Sequence, residues 1–154
     1  DWYNGYSFGG NIIYNPWSLI SYIQAIPNPP SPKWLNTSSN ALLYEELASG
    51  GLLIKRDLEL LLSGDELRYP LSENITFGDI GKNPVNIWSL LYYSGYLKAD
   101  DPEFADYDPN LLTYSLSIPN REIFLAYQQF VNRLYETGTM SDGIKDFISF
   151  FSRK

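Results

Sequence analysis

Carboxylates are the side chains here with the most evident capacity for chemistry. Asp100, Asp101, Glu103, Asp106 and Asp108 crowd the stretch ADDPEFADYDP. Such hard oxygen donors suit a divalent cation, but the spacing lacks the central Gly and terminal Glu of an EF-hand loop. Glycoside hydrolysis needs two carboxyls at a defined separation across a cleft, and nothing in the spacing places such a pair. The chain has no His and no Cys. Imidazole acid–base chemistry, thiol nucleophiles, Ser-His triads and zinc sites with nitrogen or sulfur ligands are therefore excluded together. The phosphate-cradling pattern G-x-x-x-x-G-K-[ST] is absent, so Gly9-Gly10, Gly50-Gly51 and Gly64 read as turns or helix ends. The sequons at Asn36 and Asn74 read as capping and turn residues. No catalytic, metal-binding or cofactor-binding residue is assigned.

Composition narrows the class further. At 154 residues, with 44% hydrophobic and 19% charged residues, one globular domain is expected. Aromatics reach 16%, and 13 of these residues are Tyr, whose apolar body and polar tip suit half-buried surfaces. The net charge is −7, with only 11 Lys and Arg. Both nucleic acid and anionic membrane surfaces are disfavoured, because phosphate binding draws on basic side chains releasing counterions. No apolar run approaches the ~20 residues of a membrane span.

The elements that would position these groups can be read along the chain. YNGYSFGGNIIYNP gives two short aromatic strands around Gly9-Gly10. Asn15 caps a helix that starts at Pro16 and places Trp17, Ile20 and Ile23 on one face. PNPPSPKW enforces an extended connector. After the capping run of Asn36, Thr37 and Ser38, ALLYEELASGG reads as a helix. IKRDLELLLSG is a second, with Leu58, Leu61 and Leu62 as its stripe. ELRYPL and ENITFGDI look like short strands. PVNIWSLLYYSG is a third helix, capped by Asn83. YLKAD and LLTYSLSIP follow as two strands joined by the acidic loop, with Tyr114, Leu116 and Ile118 alternating. Pro119 and Asn120 lead into the helix REIFLAYQQFVNRLYET, and SDGIKDFISFF forms a last amphipathic stretch.

The expected class is α+β, mostly helical. Residues 1–37 form an N-terminal hairpin and helix, 38–119 a winged-helix-like region, and 120–154 the C-terminal helices. In a DNA-reading winged helix the third helix presents Arg, Lys, Asn or Gln to base edges. PVNIWSLLYYSG has no basic residue and the wing loop is acidic, so this helix reads as core.

WYNGYSF, YNPWSLISYI, KWLNTSSN, LLLSGDEL, IWSLLYYSGYL and LSIPNREI occur in the order found in the bacterial AAA-ATPase-like proteins, and the chain resembles that family over about residues 1–125. Its members carry a P-loop ATPase module followed by a PD-(D/E)XK nuclease-like domain. The resemblance implies that this chain is the lid and winged-helix connector between the two, with DWYNGY an internal junction. ATP and magnesium would belong to the upstream module alone. The implied partners are the ATPase core and the nuclease-like domain of the same protein, in the cytoplasm. On this basis Trp2, Tyr3, Tyr6 and Phe8 are expected to face the ATPase side. Asn15, Pro16, Asn36, Thr37 and Ser38 are expected to start helices, and Pro119 and Asn120 to turn the chain out of the wing. Two other classes stay open: a nucleic-acid-binding winged helix, and a glycan- or peptide-binding module using the tyrosine-rich surface.

Overall fold

The structure, a computed structural model, describes residues 2–8, 11–33, 47, 51–75 and 83–136. Two strands, β1 (Tyr6–Phe8) and β2 (Asn11–Ile13), pair antiparallel on either side of Gly9-Gly10, with Tyr6 opposite Ile13. Helix α1 (Pro16–Ala25) follows at once. Asn15 starts it: its Oδ1 accepts from the amides of Trp17 at 3.1 Å and Ser18 at 3.4 Å. Pro16 occupies the first helical position, where a missing amide costs nothing.

Helix α2 (Leu52–Ser63) buries Ile54, Leu58, Leu61 and Leu62. It ends at Gly64, whose φ of 90° is a left-handed cap and whose amide reaches back to the Leu60 and Leu61 carbonyls. Strand β3 (Leu67–Tyr69) precedes helix α3 (Pro84–Tyr93), which Asn83 caps through the Val85 amide at 3.0 Å. Strands β4 (Lys98–Ala99), β5 (Glu103–Ala105) and β6 (Asp108–Ser117) come next, then helix α4 (Arg121–Glu136). The sheet runs β3-β6-β4, all antiparallel, with β5 pairing the remainder of β6. The class is α+β. One core unites α2, α3, the sheet and α4, built on Leu58, Trp88, Leu91, Leu116, Ile123 and Val131.

Two expectations meet a different outcome. The acidic stretch is not one loop: residues 103–105 form β5, and Asp108 already belongs to β6. Glu103 is paired with Arg68, and the Thr113 hydroxyl donates to the Glu103 carbonyl at 3.2 Å, which buries Thr113. Burial along β6 does not follow a simple alternation: Thr113 and Leu116 are buried, while Pro109, Asn110 and Leu112 are exposed. Residues 73–75 do not form a strand. The Ser72 amide nearby donates to the Ser89 hydroxyl at 3.0 Å instead of to a neighbouring strand, and Pro70 has no amide to offer. Trp17, Ile20 and Ile23 do share one side of α1, and that side points to solvent, while the opposite side, with Ser18 and Tyr22, turns inward. Asn36, Thr37 and Ser38, residues 76–80 of ENITFGDI and the final amphipathic stretch lie outside the described residues. So does the stretch ALLYEELASG, expected as a helix, apart from Leu47, which is helical and buried.

Candidate functional site

Residues 2–5 lie across the start of α4 and make a junction with it. The Asn120 Nδ2 donates to the Asn4 carbonyl at 2.9 Å, while its Oδ1 accepts from the Ile123 amide at 3.1 Å and so caps α4. The Glu122 amide donates to the Trp2 carbonyl at 3.3 Å, and the Arg121 guanidinium sits 5.4 Å from the Trp2 ring centre. Gly5 has φ 101°, and a Cβ there would fall 2.0 Å from the Pro119 carbonyl oxygen. Only glycine can pass.

Glu122 is the centre of this junction and has no solvent exposure. One carboxylate oxygen accepts from the Ser18 hydroxyl on α1 at 2.6 Å, and the other accepts from the Lys33 amide at 2.6 Å. A carboxylate in the first turn of a helix is favoured by the helix dipole, and these donors answer the cost of burying it. Both oxygens are sealed inside, so Glu122 holds α1 and the proline connector to α4 rather than meeting a substrate.

The sequence-selected residues distribute around this junction. Tyr3 is 3% exposed. Its hydroxyl donates to the Ser31 carbonyl at 3.0 Å and accepts from the Ser31 amide at 3.1 Å, with the Tyr22 ring 5.7 Å away. Its carbonyl accepts from the Asn15 amide at 2.7 Å. The Tyr6 hydroxyl donates to the Gly95 carbonyl at 2.9 Å, and burial pushes its pKa up to about 12. Trp2 is half-buried against Arg121, and Phe8 closes β1. Trp2, Tyr3, Asn15, Pro119 and Asn120 are thus brought together, and Tyr6 is tied to the end of α3. The roles of Gly5, Ser18, Lys33 and Glu122 were not readable beforehand. Of these, only Gly5 carries a local signal, as the glycine of an Asn-Gly pair.

Outside the junction, the surface is apolar where the N-terminal unit meets solvent. Ile12 is 72% and Trp17 62% exposed, and Ile20, Ile23 and Ile26 are each more than half exposed. All lie within residues 2–32, which contain no Asp, Glu, Lys or Arg. A cleft of about 460 Å³ opens beside this face, between the hairpin and the end of α3, lined by Tyr6, Tyr14, Tyr92 and Tyr93. A second opening, about 710 Å³, lies on the other side of the hairpin, between Ile12 and the first turns of α4. Among the described residues, no three His, Cys, Asp or Glu side chains converge as a metal site, and no helix is long and apolar enough to cross a membrane.

No protein family, curated protein or solved structure matches the chain.

Proposed function

We propose that the chain is a non-catalytic connector, the lid and winged-helix-like segment of an AAA-ATPase-like protein, which docks on its neighbouring module through the uncharged apolar face of β2 and α1. The observation that carries this reading is the outward stripe of Trp17, Ile20, Ile23 and Ile26, continued by Ile12. Each large apolar side chain left in water forgoes about 1.5–3 kcal/mol of burial. Contiguous apolar surface of this kind marks an interaction site on a monomer. A helix without a charge on any side suits burial on all sides, and α1 (PWSLISYIQA) has none.

Trp2, Tyr3 and Tyr6 then act at one remove. They fix the hairpin and α1 against α4 and α3, so that the apolar face is presented on a rigid support. The winged-helix element of the reading is supported by β3, which precedes α3 and pairs with the same strand, β6, that β4 pairs. Helix α3 contributes Ile87, Trp88 and Leu91 to the core, and the β5–β6 turn carries Asp106, which favours protein over nucleic acid as partner. ATP and magnesium belong, on this reading, to the upstream module.

The experiment compares the isolated chain with a longer polypeptide that includes the preceding module. Ile20→Lys should abolish docking of the two, read by hydrogen exchange across α1, and leave the fold of the isolated chain intact. Docking that survives the charge would reject the face as the contact. Retention of DNA in a mobility-shift assay with a steep salt slope would favour the nucleic-acid reading instead.

A further inference from the structure

The cleft between the hairpin and the end of α3 is a separate feature from the outward stripe of α1. Tyr14 comes to it from the segment after β2, Tyr92 and Tyr93 from the last turn of α3, and Lys98 from β4. Tyr93 is 53% exposed and Tyr14 is similarly open, while the Tyr92 and Tyr93 rings meet edge-on with centres 5.1 Å apart. Among the described residues no protein hydrogen bond engages the Tyr14 or Tyr93 hydroxyls, and no ion pair engages the Lys98 ammonium.

Three of the other polar groups of the cleft are committed inward, and the exposed Ser7 adds one small hydroxyl at its edge. The Asn15 Oδ1 caps α1, the Ser94 hydroxyl donates to the Leu90 carbonyl, and the Tyr6 hydroxyl is held by Gly95. What faces a ligand is therefore mostly aromatic ring, with a few tyrosine hydroxyls, the Ser7 hydroxyl and one cation. Sugar recognition by hydroxyl networks has few groups to use here. A proline-bearing segment has what it needs. Its pyrrolidine rings stack on tyrosine faces, its carbonyls stand outward to accept from tyrosine hydroxyls, and its polyproline helix is ordered before binding, so little entropy is lost.

Charge selects further. Among the described residues Lys98 is the sole charged one lining the cleft, in a chain whose net charge is −7. Outside the lining, the Glu73 carboxylate is close enough for its charge to act on the Tyr93 hydroxyl. A cation at the cleft wall asks for a carboxylate on the ligand.

We infer that this cleft binds an extended proline-rich peptide carrying an acidic residue, with Tyr14 and Tyr93 stacking its prolines and Lys98 pairing its carboxylate. The volume, about 460 Å³, falls in the range of sites that hold a few residues or a small ligand.

Titrating the ¹⁵N-labelled chain with a synthetic peptide, PPPEPPPEPP, tests the assignment beside the same peptide with alanine in place of every proline. The proline peptide should shift the amides of Tyr14, Tyr93 and Lys98 and leave α4 unmoved. Tyr93→Ala, at an exposed position the core does not use, should weaken binding about tenfold or more. Lys98→Glu should weaken the glutamate peptide and favour its lysine counterpart, a reversal that misfolding cannot produce. Ile20→Lys should change nothing, which separates this cleft from the docking face. Equal binding of the alanine peptide, or no shift at the cleft at millimolar peptide, would overturn the inference. So would a response of the same tyrosines to cellohexaose in place of the peptide.

Discussion

At the scale of single residues, the fold turns on positions where chemistry leaves no alternative. Gly5 is one, because its left-handed backbone and the Pro119 carbonyl both exclude a side chain. Gly5→Ala should lower stability by at least ~2 kcal/mol, read as a fall in the urea midpoint with an unchanged slope. The tyrosines make a second, pH-dependent case. Burial raises the pKa of Tyr6 to about 12, and burial with a 2.6 Å hydrogen bond to Asp57 does the same for Tyr69. A raised tyrosine pKa means the folded state prefers the neutral phenol. That preference is fully present below the ordinary value of 10.0 and is lost as pH rises toward about 12. The melting temperature should hold level up to about pH 10 and fall steeply above it. Tyr6→Phe should flatten part of that fall and cost about 1 kcal/mol at neutral pH for the lost Gly95 hydrogen bond.

At the scale of elements, the position of α1 depends on one carboxylate. Glu122 joins α1 to α4 through Ser18, across 104 residues of sequence. Glu122→Gln keeps an acceptor for one donor and should loosen α1 selectively: hydrogen exchange should quicken over residues 16–25 while α2 and α3 stay protected. Uniform exchange across all helices would place α1 in the same cooperative unit as the core. The start of α1 was legible because its grammar is local, with Asn15 and Pro16 adjacent, and the same holds for Gly64 after α2 and Asn83 before α3. The direction in which α1 faces was not. Trp17, Ile20 and Ile23 share a stripe, but on a helix without charges a stripe does not say which side is inward; that is decided by Ser18, Tyr22 and a glutamate far along the chain. Strand β5 was hidden for a related reason. Asp and Glu are poor strand formers, and the Arg68 and Thr113 partners that hold Glu103 there come from other elements. The junction of Gly5, Asn120 and Glu122 likewise exists only between segments that no local pattern connects.

At the scale of the whole molecule, charge and apolar surface are segregated. Every charged residue of the described structure lies at Lys33 or beyond, while residues 2–32 supply an uncharged hairpin and helix with their apolar side outward. A chain of net charge −7 keeps itself apart from its copies over most of its surface and offers one face where a partner meets no charge. If the chain is the connector proposed above, a neighbouring module covers this face. The most direct measurement is covalent footprinting of Trp17 in the isolated chain and in a polypeptide extended through the preceding module. Trp17 should label freely in the first and at least about tenfold less in the second, with labelling restored by Ile20→Lys. Equal labelling of Trp17 in both would contradict the docking face and, with it, the reading of this chain as a connector.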